Sequence, residues 1–246
     1  MSWNFFNRTS KRSVVTKAAE RDYERECTKM QHLEDASKKI YKDSKKATAA
    51  NEAFGKASAK IGQDLITTLG GQVSPPLKAF EIATTKQKQL LQERASLTNQ
   101  CWTESTKKYN SIFPYYSTQL KTRDKALQEY SKVQAKLDKY QEREHTAANS
   151  VKIEQAKREM LPVKADFEQK NSTLMSDMPK FYAARLDYFQ PALKASVQSE
   201  CWVHREVIRT FKNSLNVMDT EAGSKADGKV RNLLEDIRKL SITTDD

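Results

Sequence analysis

Six glycines and six prolines in 246 residues leave few places to turn, so the sequence favours a handful of long elements over an alternation of short ones. Charged residues at 30% and hydrophobic residues at 37% exclude a disordered chain and also one built around a thick core. A formal net charge of +11 calls for an anionic partner, and charge alone does not choose between phosphate-bearing membranes and nucleic acids.

The chain opens Met1-Ser2-Trp3-Asn4-Phe5-Phe6 and turns polar at once, without the apolar core of a signal peptide. No run of 18 apolar residues follows that would cross a membrane. Cys27, Cys101 and Cys201 are odd in number, far apart and outside any paired ligand spacing. A reduced, cytoplasmic setting with structural thiols is the simplest reading. Residues 1–17 carry Arg8, Lys11, Arg12 and Lys17 and no acid. A short helix folding on a lipid surface could insert Trp3, Phe5 and Phe6. Against this, the apolar positions do not share one helical face, and Asn4, Asn7, Thr9 and Ser10 are weak helix formers. A packed or mobile tail is the alternative.

Leu33, Ile40, Ala47, Phe54 and Ile61 recur every seven residues, which predicts a first helix over about 18–69. Ala36, Ala50 and Ala57 beside that seam are expected to let neighbouring helices approach closely. Lys38, Lys39, Lys42, Lys45 and Lys46 project from the opposite side, most simply as a solvated face. Gly70-Gly71 and Pro75-Pro76 end the helix.

A second helix is predicted over 76–144, with Phe80, Ala83, Leu90, Leu91, Leu97, Trp102 and Tyr109 and then Leu120, Leu127, Tyr130, Leu137 and Tyr140 as its seam. Pro114 is expected to bend it rather than end it, because the periodicity resumes beyond. At about 100° per residue, Lys121, Lys125, Lys132, Lys136, Lys139 and Arg143 fall within roughly 60° of one another, away from the seam. Glu129 dilutes this stripe. Its functional reading is phosphate recognition; its bland reading is a soluble face with local ion pairs. Lys152, beyond the turn at 145–150, is a further cationic candidate at the same end.

The third helix is predicted over 151–218. Ile153, Met160, Phe167, Leu174, Phe181 and Tyr188 repeat every seven residues, and Val197, Cys201, His204, Ile208, Phe211, Leu215 and Met218 continue in steps of four and three. Unbroken, it would be roughly 100 Å long at about 1.5 Å per residue, implying a rod or an arch. Pro162, Pro179 and Pro191 inside it can each bend or locally unwind it. The expected fold is all-α, a long, proline-bent antiparallel three-helix coiled-coil bundle. Leu33, Ile40, Phe54, Phe167, Phe181 and Phe211 are its core or dimer-interface candidates. Residues 219–246 read as a linker, Asp219 to Gly228, and a short amphipathic helix with Val230, Leu233, Leu234, Ile237 and Leu240 that docks on the bundle.

Phe167-Glu168-Gln169-Lys170-Asn171, Met178-Pro179, Phe181-Tyr182, Arg185 and Tyr188-Phe189-Gln190-Pro191 resemble the third-helix signature of the BAR domain family of amphiphysins and bridging integrators. Lys121-Thr122-Arg123-Asp124-Lys125-Ala126-Leu127-Gln128-Glu129-Tyr130 resembles its second helix. Arg21-Asp22-Tyr23-Glu24-Arg25-Glu26, the opening Met1-Ser2-Trp3 and the ending Leu240-Ser241-Ile242-Thr243-Thr244-Asp245-Asp246 are similar to the short bridging-integrator branch and its yeast Rvs161-type relatives. The resemblance covers essentially the whole chain and implies a crescent-shaped antiparallel homodimer, or a heterodimer with another BAR protein. It implies that a concave basic face senses or imposes curvature on anionic phospholipid membranes, and the cations read from helical projection and position, Lys121, Lys125, Lys132, Lys136, Lys139, Arg143 and Lys152, are the candidates for lipid contact. It further implies roles in actin organisation, cytokinesis and endocytosis at the cortical cytoskeleton, reached through actin regulators or Rho-type GTPases. Residues 1–17 match the amphipathic leading helix of amphiphysins poorly, and no SH3 module is expected.

Other classes have less support. His32, His145 and His204 are far apart, and no Gly-rich phosphate loop, metal spacing or nucleophile motif accompanies them, so neither an enzyme nor a cofactor is expected. The cations lie along coiled helices without a reading module, which argues against nucleic acid. A helical adaptor that docks actin or GTPase regulators without remodelling membranes is the alternative to the curvature reading.

Overall fold

In a computed structural model, which describes residues 14–69, 74–144, 146–221 and 226–240, every described element is helical. They are α1 (Lys17–Thr68), α2 (Pro75–Thr98), a π-helical segment (Asn99–Glu104), α3 (Ser105–Asn110), α4 (Phe113–Gln141), α5 (Ala147–Glu221) and α6 (Ala226–Arg238). Trp3, Phe5, Phe6, Arg8, Lys11, Arg12, Gly70, Gly71, His145 and the ending 241–246 lie outside the described residues.

Three local differences from expectation have physical causes. Pro114 does not bend a continuous helix: α3 ends at Asn110, Ser111 and Ile112 form a turn, and α4 restarts with proline in its first turn. A missing N–H costs nothing there, and the Tyr115 and Tyr116 amides both donate to the Ile112 carbonyl (3.1 and 3.3 Å). Asn99–Glu104 winds as a π-helix, which periodicity does not signal. The last long helix starts at Ala147, earlier than 151, because the Thr146 hydroxyl accepts the Asn149 amide (3.2 Å). The buried Asn149 side chain meanwhile donates to the carbonyls of Tyr140 and Glu144 (2.9 and 3.0 Å), closing the turn. Through Pro162, Pro179 and Pro191 the helical winding of α5 continues without a break.

The chain divides into two compact units, one formed by Met1–Asp43 with Trp102–Leu193 and the other by Ser44–Cys101 with Lys194–Asp246, so α1 and α5 each supply a length to both. In the first unit, Glu20 of α1 meets Arg123 while Ser37 meets Asn110, and Arg123 meets Asn171 while Lys136 meets Glu159. Both series run in opposite directions along the chain, so the α3–α4 length is antiparallel to α1, and α4 is antiparallel to α5. The main core joins Tyr23, Cys27 and Met30 of α1, Tyr109 of α3, Phe113, Tyr116 and Leu120 of α4, and Leu174 and Met178 of α5. Tyr109 is its hub, with ring centroids 5.0 Å from Phe181, 4.9 Å from Phe189 and 5.7 Å from Phe113. Ala126, Leu127, Tyr130 and Phe167 form a second cluster, against which Val14, Val15, Met160 and Val163 pack.

The second unit holds Leu90, Leu91 and Val203 together, with Ser58 bonded to Gln87 (2.7 Å) and Arg94 to Glu200 (2.6 Å). Ala36, Ala50 and Ala57 are exposed within the chain, and close approach between helices of the second unit is made at glycines. A Cβ on Gly55 would stand 3.1 Å from the Lys88 Cα, and one on Gly62 would stand 2.6 Å from the Thr84 hydroxyl and 3.2 Å from the Glu81 Cα.

Of the core or interface candidates, Phe167 is buried, and Leu33 and Phe181 pack against the main core while Ile40 and Phe211 are half-buried. Phe54 is not a core residue of the chain: it is 57% exposed, as are Ile61, Leu65, Leu69, Ile82, Val197, Ile208 and Leu215 to comparable degrees in the same unit. The last helix is expected to dock on the bundle, whereas Leu233, Leu234 and Ile237 of α6 and Leu240 just past its end are exposed. Apolar residues at such spacing signal amphipathicity but carry no address.

Candidate cationic surface

The buried side chains of α4 are Phe113, Tyr116, Leu120, Arg123, Ala126, Leu127, Tyr130 and Leu137. Their burial fixes which side of the helix faces outward, and Lys121, Lys125, Lys132, Lys136 and Lys139 are all exposed on it. Arg143 follows just beyond the end of α4, exposed, with its guanidinium 5.7 Å from the Tyr140 ring centre. Lys152 is exposed on α5. It precedes Glu159 by seven residues and so lies within about 20° of it around the helix, and Glu159 is bonded to Lys136. All seven candidate cations therefore belong to the first unit, and Lys152 sits on the flank of α5 that borders the α4 stripe.

Their electrostatic states differ. The Lys132 ammonium lies 2.9 Å from Glu129 and the Lys136 ammonium 2.8 Å from Glu159. The hydrogen bond and charge of Glu159 hold the Lys136 amine above its ordinary range, and Lys136 in turn holds the Glu159 carboxyl below the ordinary carboxylate range. Lys121, Lys125, Lys139 and Lys152 form no ion pair among the described residues. Two lysines thus make the local pairs of a solvated face, while four present unneutralised ammonium groups.

One cation of the same segment went unread as a site element. Arg123 is 1% exposed and points into the bundle. Its Nη1 and Nη2 donate to the two Glu20 carboxylate oxygens (3.3 and 3.0 Å), its Nε donates to the Asn171 Oδ1 (3.0 Å), and Nη1 also reaches Asp124 (3.2 Å). The guanidinium stacks on Tyr23 at 3.8 Å and faces Phe167 at 5.1 Å. Burial by itself would lower its pKa, but the Glu20 hydrogen bonds and neighbouring charges outweigh this and raise it. The signal was available: Arg123 falls among Leu120, Leu127 and Tyr130 on the seam side, where a cation requires a partner.

No helix among the described residues is long and apolar enough to cross a membrane, and no group of three or more His, Cys, Asp or Glu among them could hold a metal ion. A long antiparallel helical bundle with an exposed row of cations is the architecture of a helical scaffold. The sequence matches the BAR domain over residues 6–219, and the chain belongs to that family, whose members are structural scaffolds and not enzymes. Within it, the chain is 36% identical over 255 residues to the Bridging integrator 3 homolog of Xenopus laevis, all of both chains being covered. It is 22% identical over 192 residues to the Candida albicans protein named Regulator of cytoskeleton and endocytosis RVS161, covering 76% of this chain and 69% of that one. Among solved structures, the amphiphysin BAR domain from Drosophila superposes with a TM-score of 0.70 over 87% of this chain and 97% of that chain, at 14% identity, a likeness of fold alone.

Proposed function

We propose that the chain acts as a dimeric scaffold that binds anionic lipid surfaces through the α4 stripe and favours membranes whose curvature brings the stripes of both protomers into contact at once. The observation that carries this is the row of unneutralised ammonium groups at Lys121, Lys125 and Lys139, set opposite the buried face of a rigid helix and extended by Lys152 on α5. Each basic residue near an anionic leaflet contributes about 1 kcal/mol. Four such residues in each of two protomers therefore supply about 8 kcal/mol before entropy losses, the scale of micromolar binding. Lys132, Lys136 and Arg143 add to the same field, and Trp3, Phe5 and Phe6 are the residues that would insert beneath the headgroups. The exposed apolar side chains of the second unit, Phe54 and Ile61 among them, support dimerisation through that unit.

A peripheral cytoplasmic protein of this kind suits work at the cortical actin cytoskeleton, in endocytosis and cytokinesis, alongside actin regulators or Rho-type GTPases. The name of the Candida relative is what motivates that reading. The test is co-sedimentation with small and large phosphatidylserine vesicles across a salt series. Binding is expected to weaken with salt, to depend on vesicle size, and to vanish when Lys132→Glu, Lys136→Glu and Lys139→Glu are combined, with circular dichroism and dimer mass unchanged. Unaltered binding in that triple variant removes the stripe from the mechanism. Vesicles that bind the protein yet stay round at saturating coverage favour the adaptor reading.

A further inference from the structure

The α4 stripe can act as one surface only if the helix is held at a single rotation about its own axis. The apolar seam does this poorly. Beyond Phe113 and Tyr116, which pack into the main core at the start of α4, the seam consists of Leu120, Ala126, Leu127, Tyr130 and Leu137. These spread over about 120° of the helix circumference, and such apolar contacts impose no bond direction that would forbid a small roll of α4. Arg123 tolerates none. Its planar fork meets the Glu20 carboxylate with two nitrogens and Asn171 with a third, tying α4 to α1 and α5 through bonds that need fixed directions. At about 100° per residue it stands roughly 170° from the midline of the six stripe cations. This buried directional anchor of the helix is thus almost diametrically opposite the surface it would aim, whereas the Lys136–Glu159 bond lies in that surface itself.

We propose that Arg123 is the positioning residue of the cationic surface: it sets the azimuth of α4 through Glu20 and Asn171, and it does so without meeting lipid itself. Tyr23 and Phe167 cover the guanidinium faces and keep water from competing for those bonds. The lysines outside then share one orientation because a single arginine inside cannot turn. This assignment rests on the lipid reading only for its consequence in binding; the geometric part stands apart from it.

The experiment separates the two. Lys136 and Glu159 touch across α4 and α5 at 2.8 Å, so Lys136→Cys and Glu159→Cys, in full-length protein carrying Cys101→Ser and Cys201→Ser, report the azimuth through their rate of cross-linking by a short bis-maleimide. Arg123→Met is expected to slow cross-linking about tenfold through misalignment and to weaken phosphatidylserine-vesicle binding about tenfold, with helix content preserved. The exchange Glu20→Arg with Arg123→Glu is expected to recover both, which a loss of general stability would not allow. If Arg123→Met does not fold, Arg123→Lys and Asn171→Ala retain the charge and one remove the fork, the other its third bond, and each is expected to slow cross-linking by a smaller factor. Cross-linking at the native rate in the folded variants overturns the proposal. Slowed cross-linking together with vesicle binding that ignores the stripe charge reversals upholds the positioning role and overturns the lipid reading alone.

Discussion

Replacing Glu129 with glutamine should make the protein bind anionic membranes more tightly, a gain that misfolding cannot imitate. Glu129 is the acid that interrupts the stripe, and its carboxylate lies 2.9 Å from the Lys132 ammonium with both side chains more than half exposed (61% and 69%). An exposed pair of this kind contributes about 0–1 kcal/mol to folding, so Glu129→Gln should leave thermal stability nearly untouched. At the membrane the same carboxylate works against the lysines at about the same depth. Removing one unit of negative charge there is worth about 1 kcal/mol per protomer, and about 2 kcal/mol in a dimer that engages both stripes. That corresponds to roughly a 30-fold higher partition coefficient. With the Debye length shrinking from about 30 Å at 0.01 M to about 3 Å at 1 M salt, the gain should be large at low salt and disappear at high salt. Co-sedimentation with phosphatidylserine vesicles over that range measures it. Equal binding by the native and Glu129→Gln proteins at low salt would refute the view that this face approaches the leaflet.

Other expectations follow from the packing. Met178 is wholly buried in the main core; Met178→Ala should cost about 2–5 kcal/mol and lower the melting temperature by roughly 5–15 °C, read by circular dichroism. Phe54→Glu with Ile61→Glu should convert a dimer to monomer in sedimentation equilibrium without loss of helix, since both side chains are more than half exposed within the chain; a dimer of unchanged affinity would move the interface elsewhere. Alkaline pH should destabilise the fold. Burial, partly offset by Tyr23 and Arg123, pushes the Cys27 thiol from 9.0 up to about 12, and burial pushes Tyr109 from 10.0 to about 12. The folded state therefore holds these protons more tightly than the unfolded chain, so the stability they lend is complete below about pH 9 and is lost as pH climbs toward 12. Urea midpoints should fall over that window, and Cys27→Ala should flatten the first part of the fall. At neutral pH a maleimide should modify the exposed Cys201 and spare the buried Cys27.

The helices, their order and the outward stripe were readable in the residues because each depends on local periodicity. Leu120, Leu127, Tyr130 and Leu137 define a buried side of α4, and the lysines then have only one side left. The family signature at Phe167–Asn171 and Phe181–Pro191 was likewise local in sequence. The restart at Phe113 was misjudged because periodicity resumes in phase on both sides of a two-residue turn, so the pattern cannot distinguish a bent helix from two helices. The winding of Asn99–Glu104 left no mark in the pattern at all. Close approach at Gly55 and Gly62 is hidden for a related reason: small residues are visible in a sequence, but which of them meets a neighbouring backbone is not.

Heptad spacing and charge were thus enough to specify long helices, an apolar side for each, and a cationic face on one of them, since these follow from how a single helix distributes its side chains. Pairing across helices was beyond their reach. That Glu159 neutralises Lys136 from α5, that Arg123 turns inward to Glu20 and Asn171, and that Phe54, Leu233 and Leu234 are exposed all depend on which residues meet at a distance along the chain. Partners separated by 23, 48 or 103 positions leave no periodic trace, and only the packed structure brings them into contact.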